Sequence, residues 1–169
     1  MTINKDYVFP VYIYENVLNE IKDLCKNYEN EIFGYLIGLI FKWKEQIYIV
    51  IKDNIFIEGT FYSHKISTAQ IEGTAGEYDK KFQRLKKNKN NKSLRVVGWW
   101  HSHPDLGCFL SSTDLNTQQH FFPESYQVAL VIDPIRDTYD FFTLDISSNK
   151  KYKIISSAII SKNDINRKY

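Results

Sequence analysis

The stretch VVGWWHSHPDLGCFLSSTDLNTQQHFF, residues 96–122, reads as a strand, a loop and a helix in that order. The apolar run from Leu94 to Trp100 suits a buried strand. Pro104 and Gly107 require a loop from Pro104 to Leu110. Ser111 to Phe122 then has the marks of a helix: Ser111 or Ser112 caps its start and Pro123 stops it. This order puts His101 and His103 directly after a strand and Asp114 in the first turn of a helix.

Those three side chains are a candidate metal site. Alternate residues of an extended chain face the same way, so the two imidazoles of a His-x-His pair can reach one ion. Asp114 follows His103 by eleven residues. Near the positive end of a helix dipole its carboxyl favours the ionised form. Two neutral imidazoles and a carboxylate form the three-ligand set of catalytic zinc, which keeps a fourth position for water. Neither the His-x-His pair nor a helix-start aspartate is specific alone; the combination is. Cys108 as a thiolate would close the site and make it structural. A small residue packed under the loop is the preferred reading. His120 falls on the opposite face of the helix from Asp114, and His64 lies in a loop with no motif partner.

Working outward, residues 12–29 carry a helical stripe of Val17, Leu18, Ile21, Leu24 and Cys25. Ile32 to Phe41 and Ile47 to Ile57 read as a hairpin across the charged turn Lys42 to Gln46. Residues 67–87 read as a helix that Gly73 and Gly76 weaken. Tyr126 to Ile132, closed by Asp133-Pro134, reads as a buried strand. Tyr139 to Ile146 and Tyr152 to Ile160 are two further strands. Strands and helices in this succession predict an α/β fold, a mixed β-sheet flanked by helices in a single domain over residues 1–162, with a flexible tail over 163–169.

A chain of 169 residues with 43% hydrophobic and 25% charged residues suits a globular fold. The net charge of +2 does not argue for nucleic-acid binding, and no apolar run is long enough to span a membrane. Two cysteines without CxxC spacing, and an N-terminus without a signal-type apolar stretch, point to a reducing, cytoplasmic setting. The basic run Lys86, Lys87, Lys89 and Lys92 reads first as a solvated loop and second as a docking patch for an acidic partner.

His101-x-His103, seven residues, Ser111-x-x-Asp114 resembles the JAMM motif of the JAB/MPN zinc metalloprotease family. The family's upstream setting, Glu-x-x-Gly-x-Leu-x-Gly, is matched by Glu31 to Gly38. The resemblance covers about residues 12–146 and is strongest from 96 to 136. Within the family it is close to the deubiquitinase of the proteasome lid and the deneddylase of the signalosome.

The resemblance implies a JAB/MPN fold and one catalytic zinc ion on His101, His103 and Asp114. It implies Glu31 as general base, although on the residues alone Glu31 would pass for a junction carboxylate. It implies Ser111 as the oxyanion donor, beside its reading as a helix cap. The activity implied is an isopeptidase or peptidase acting after the C-terminal glycine of ubiquitin or a ubiquitin-like modifier. Its partners would be the modifier, its lysine conjugates, and E1/E2-like conjugation enzymes or a partner subunit. A bacterial antiphage conjugation system is one such context. Asp105, Leu106 and Phe109 line the loop that would meet a substrate, and residues 56–65 would order a modifier tail by strand addition. Two alternatives stand beside this reading: a non-catalytic MPN scaffold, and a metallo-hydrolase of sulfur-carrier or small-molecule conjugates.

Overall fold

The computed structural model describes residues 7–61, 68–88 and 91–161. His64, Lys89 and the tail from Asn163 lie outside the described residues, as do residues 62–65 of the segment expected to order a modifier tail.

The elements run β1 (Val11–Tyr14), α1 (Glu15–Lys26), β2 (Ile32–Trp43), β3 (Gln46–Phe61), α2 (Thr68–Asn88), β4 (Arg95–Ser102), α3 (Ser112–Phe121), β5 (Val128–Asp133), β6 (Thr138–Leu144), β7 (Tyr152–Ile155) and β8 (Ser157–Ile160). They build one eight-stranded mixed sheet in the order β7-β6-β5-β4-β2-β3-β1-β8. This is the α/β fold expected, a mixed sheet flanked by helices. Three pairings are parallel: β1 with β3, β1 with β8, and β4 with β5.

Two boundaries differ from expectation. The helix expected from residue 12 starts only at Glu15, because Val11 and Ile13 are buried while Tyr12 and Tyr14 are half-buried. That alternation is a strand's period of two, and it precedes the helical stripe. The strand expected over Tyr152 to Ile160 is split at Ser156. Its first half pairs with β6 and its second half with β1, at opposite ends of the sheet order. Three consecutive Cα atoms span at most about 7.6 Å, so the two edges of the sheet must meet at Ser156. The sheet is therefore strongly curved, its two edge strands sharing a corner.

The curved sheet has an inner and an outer face, each with its own core. Inside lie Val11, Leu36, Ile49, Trp100, Leu130 and Phe141, with α1 contributing Val17, Leu18, Ile21 and Cys25. Outside, Tyr35, Ile55, Trp99, Val131 and Phe142 pack with Tyr78, Phe82 and Leu85 of α2, and with Phe122 after α3. Trp99 and Trp100, both fully buried, anchor the two sides of β4.

Two glycines make the approach of β2, β4 and β5 possible. A Cβ on Gly34 would stand 2.6 Å from the Trp100 ring. A Cβ on Gly98 would stand 2.0 Å from the Val128 carbonyl oxygen. Neither distance is open to a real side chain, so the positions of β4 and its histidines depend on both.

Candidate metal centre

β4 delivers His101 from its outer face, and His103 follows one residue past the strand end. The His101 ring stacks on Trp99 at 4.4 Å between centroids. Trp99 is held in turn: its Nε1 donates to Gln118 Oε1 at 2.7 Å. Gln118 is fully buried on α3, and its Nε2 donates to the carbonyls of Phe122 and Gln127. Position 118 is one helical turn beyond Asp114, so the same face of α3 serves both.

The loop after β4 fixes His103. Its Nδ1 lies 3.1 Å from the Gly107 carbonyl, which can only accept. The neutral ring therefore carries its proton on Nδ1 and turns the Nε2 lone pair toward His101 and Asp114. Gly107 adopts φ 82°, and Asp105 adopts φ 60°. Asp133, fully buried at the end of β5, braces this loop. Its Oδ2 accepts from Gly107 N at 2.8 Å, and its Oδ1 accepts from the amides of Asp105, Ile135 and Arg136. Burial pushes the Asp133 carboxyl up, but these four amides outweigh it and hold it below its ordinary value.

Asp114 arrives through a helix cap. Ser111 is the N-cap of α3, and its side chain accepts from Asp114 N. In return, Ser111 N donates to Asp114 Oδ2 at 2.6 Å. This reciprocal capping box decides which carboxylate oxygen remains. Oδ1 is buried without a hydrogen-bond partner among the described residues, 3.4 Å from His101 Nε2. Burial pushes the Asp114 carboxyl up. The His101 and His103 rings and the Ser111 cap prevail and hold it well below the usual carboxylate range.

His101 Nε2 and His103 Nε2 are 3.2 Å apart, and His103 Nε2 lies 3.5 Å from Asp114 Oδ2. Donors about 2.0–2.1 Å from a tetrahedral ion are separated by about 3.3 Å. The three buried side chains thus have the identity, the spacing and the orphaned oxygen of a group that could hold a metal ion. His103 shows what the surroundings favour. Burial pulls its ring down, whereas Asp114, Glu31 and the Gly107 carbonyl push it up, and the net direction is up. Surroundings that draw a proton onto His103 draw a cation as well.

Glu31 is half-buried just before β2. The antiparallel register pairs Phe33 with His101, and Ile32 N donates to Ser102 Oγ. Glu31 directly precedes Ile32 at this end of the ladder, and its charge acts on the His103 ring. Some seventy residues of sequence separation are thereby reduced to a distance over which charge is felt.

The remaining candidates fall outside this group. Cys108 lies toward Val131 and Thr138, its thiol pushed up first by burial, and is no fourth donor. His120 is exposed and contacts the Asn116 carbonyl. Phe109 packs on the His103 ring at 4.8 Å, and Leu106 of the same loop is exposed. Asp105 pairs with Arg136. Gln118 and Asp133 were not anticipated, although an aspartate ahead of a turn proline is a recognisable acceptor for turn amides.

Known proteins resemble this chain over part of its length. A stretch of 51 residues is 51% identical to ubiquitin carboxyl-terminal hydrolase RPN11 of Saccharomyces cerevisiae, covering 30% of this chain and 17% of that protein. Over 69 residues the chain is 42% identical to 26S proteasome regulatory subunit RPN11 of Eremothecium gossypii, covering 40% of this chain and 21% of that protein. The 26S proteasome non-ATPase regulatory subunit 14 of Dictyostelium discoideum is 49% identical over 51 residues, 30% of this chain and 17% of its own. The matched stretch spans about a fifth of the length of these curated relatives. The wider family match covers residues 6–124. Because it runs from β1 through α3, across every element that brings Glu31 to His101, His103 and Asp114, the chain belongs to the JAB1/Mov34/MPN/PAD-1 ubiquitin protease family.

Proposed function

We propose that this chain is a zinc-dependent isopeptidase or peptidase that hydrolyses the bond after the C-terminal glycine of ubiquitin or a ubiquitin-like modifier. The observation that carries the reading is the orphaned Asp114 Oδ1 beside two imidazole Nε2 atoms, with Glu31 close enough for its charge to act on His103. The family membership and a relative named as a ubiquitin carboxyl-terminal hydrolase support the substrate class.

Zinc held by His101, His103 and Asp114 would supply a Lewis acid for the scissile carbonyl and lower the pKa of a water toward about 7. Glu31 takes a proton from the attacking water as its oxygen bonds to the glycine carbonyl carbon. The Ser111 hydroxyl donates to the oxyanion; its oxygen already accepts from Asp114 N, so its proton is left to give. When the C–N bond breaks, Glu31 returns the proton to the leaving lysine amine. Trp99, Phe109 and the closed loop keep both imidazoles in place throughout.

The same proposal places the enzyme in a reducing, cytoplasmic setting, which the free thiols Cys25 and Cys108 support. It assigns the conjugates to E1/E2-like enzymes, with a bacterial antiphage system as their context and a partner subunit as a further associate.

Purified protein should carry about one zinc per chain and cleave a modifier–lysine conjugate. Chelation should abolish cleavage. Glu31→Gln should keep the zinc and lose roughly a thousandfold in kcat. Zinc retained without cleavage of any such conjugate would turn the reading toward a scaffold or a small-molecule hydrolase.

A further inference from the structure

β1 covers the outer edge of β3 only at Ile49, Val50 and Ile51. From Asn54 onward no strand pairs with that edge among the described residues. A groove of about 400 Å³ lies there, between α1 and α2. This is within the range of about 300–1,000 Å³ seen for ligand sites. Leu24, Phe56 and Leu85 give it apolar walls. Two backbone groups of this part of β3 are held by side chains rather than by a strand. Asn54 N donates to Asp53 Oδ1 at 2.9 Å, and the Phe56 carbonyl accepts from Lys81 Nζ at 2.8 Å.

Two further features set the chemistry of a guest. Asn54 lines the groove and is only 9% exposed, yet its Nδ2 has no hydrogen-bond partner among the described residues. A guest carbonyl or carboxylate would supply the missing acceptor. The α2 wall is cationic. Between Lys80 and Lys87 the helix carries five basic residues and no acidic one, and Lys81 and Arg84 from this run border the groove. Lys81 already pairs with Glu77, whereas Arg84 is exposed and makes no ion pair among the described residues.

We propose that this groove is a docking site for an acidic, extended peptide segment of a partner protein. The segment lies along the edge of β3, its backbone taking over the contacts of Asp53 and Lys81 and accepting from the Asn54 amide. Its carboxylates face Lys81 and Arg84. Strand addition supplies the main-chain hydrogen bonds, and the basic wall supplies the preference for acid. A nucleic acid fits less well. The Phe56 ring is engaged with Tyr28 and Trp100, so it offers no stacking platform, and Glu20 at the opposite border confines the guest's carboxylates to the α2 side.

The test titrates the full ¹⁵N-labelled chain with the blocked peptide Val-Glu-Val-Glu-Val-Glu. Saturable shift changes are expected at the amides of Asn54, Phe56 and Arg84. Arg84→Glu should weaken binding about tenfold, with rising salt acting in the same direction. The counterpart peptide Val-Lys-Val-Lys-Val-Lys should leave the groove unperturbed. Arg84→Gln, a milder change, should show an intermediate loss if the reversed charge disturbs the helix. Absent shifts, shifts undiminished in both Arg84 variants, or equal perturbation by the lysine peptide would overturn the proposal. So would a short oligo-dT strand that binds the groove more tightly than the acidic peptide. Arg84 is not among the residues assigned to the chemistry, so conjugate cleavage should be unchanged in these variants, and failure here is distinguishable from failure of the isopeptidase reading.

Discussion

Asp133 touches no candidate ligand, yet two interactions join it to one. It binds Gly107 N, and the Gly107 carbonyl orients His103. Asp133→Ala strands four buried-side amides and should cost about 3 kcal/mol in stability, read from urea unfolding. Zinc affinity should fall with it, because the proton on His103 Nδ1 loses its fixed acceptor. The carboxyl is held below its unfolded value of 3.8. Its contribution is therefore present above that value and is lost as pH falls through the lower, folded one. The stability gap between wild type and Asp133→Asn should narrow as pH is lowered from about 6 to about 3. A gap that widened in acid would show that the amides do not stabilise the charged form.

At the scale of elements, α3 combines a cap and a candidate ligand. The box formed by Ser111 and Asp114 leaves Oδ1 for the imidazoles. Ser111→Gly separates the two roles of the serine. As a cap, glycine costs only a few tenths of a kcal/mol. As a lost oxyanion donor, it should lower kcat by roughly a hundredfold while the thermal midpoint barely moves. A drop in the midpoint with kcat unchanged would leave Ser111 as a cap alone. In β4, Gly98→Ala sets a methyl against the Val128 carbonyl and should destabilise the protein by about 3 kcal/mol or more, measured by the urea midpoint. The local grammar of residues 96–122 was readable because strand, proline turn, cap and helix lie next to one another in the chain. His101, His103 and Asp114 could be placed on their elements without knowledge of the rest. Gln118 and Asp133 were hidden because their partners are an indole and backbone amides, which leave no residue-type signature. β1 was hidden because four residues of strand directly precede a helix whose apolar stripe absorbs them.

Across the whole molecule, a metal bound only by the native state stabilises all of it. With free zinc at about a hundred times its Kd, the native state gains about 2.7 kcal/mol. Chelation should lower the thermal midpoint, and Asp114→Asn should remove the difference between zinc and chelator. Identical melting in zinc and chelator for the wild type would contradict a metal site on His101, His103 and Asp114. The approach of Glu31 to His103 is a property of this scale too: it needs the register of β2 on β4, which only the folded sheet supplies.

The strand split at Ser156 bears on the order of folding events. Val11 pairs with Ser157, and Tyr14 with Ile160, so the ladder that completes the sheet joins residues from nearly opposite ends of the described chain. Contacts so distant in sequence carry a high loop-closure cost and form slowly. Glu31, His101, His103 and Asp114 all precede that strand in the chain. During synthesis they leave the ribosome before β8 does, and until it docks the outer edge of β1 is open to any passing strand, another copy of the chain included. Slow synthesis near the C-terminus would therefore lengthen the interval of aggregation risk, after the residues for the chemistry have already been made.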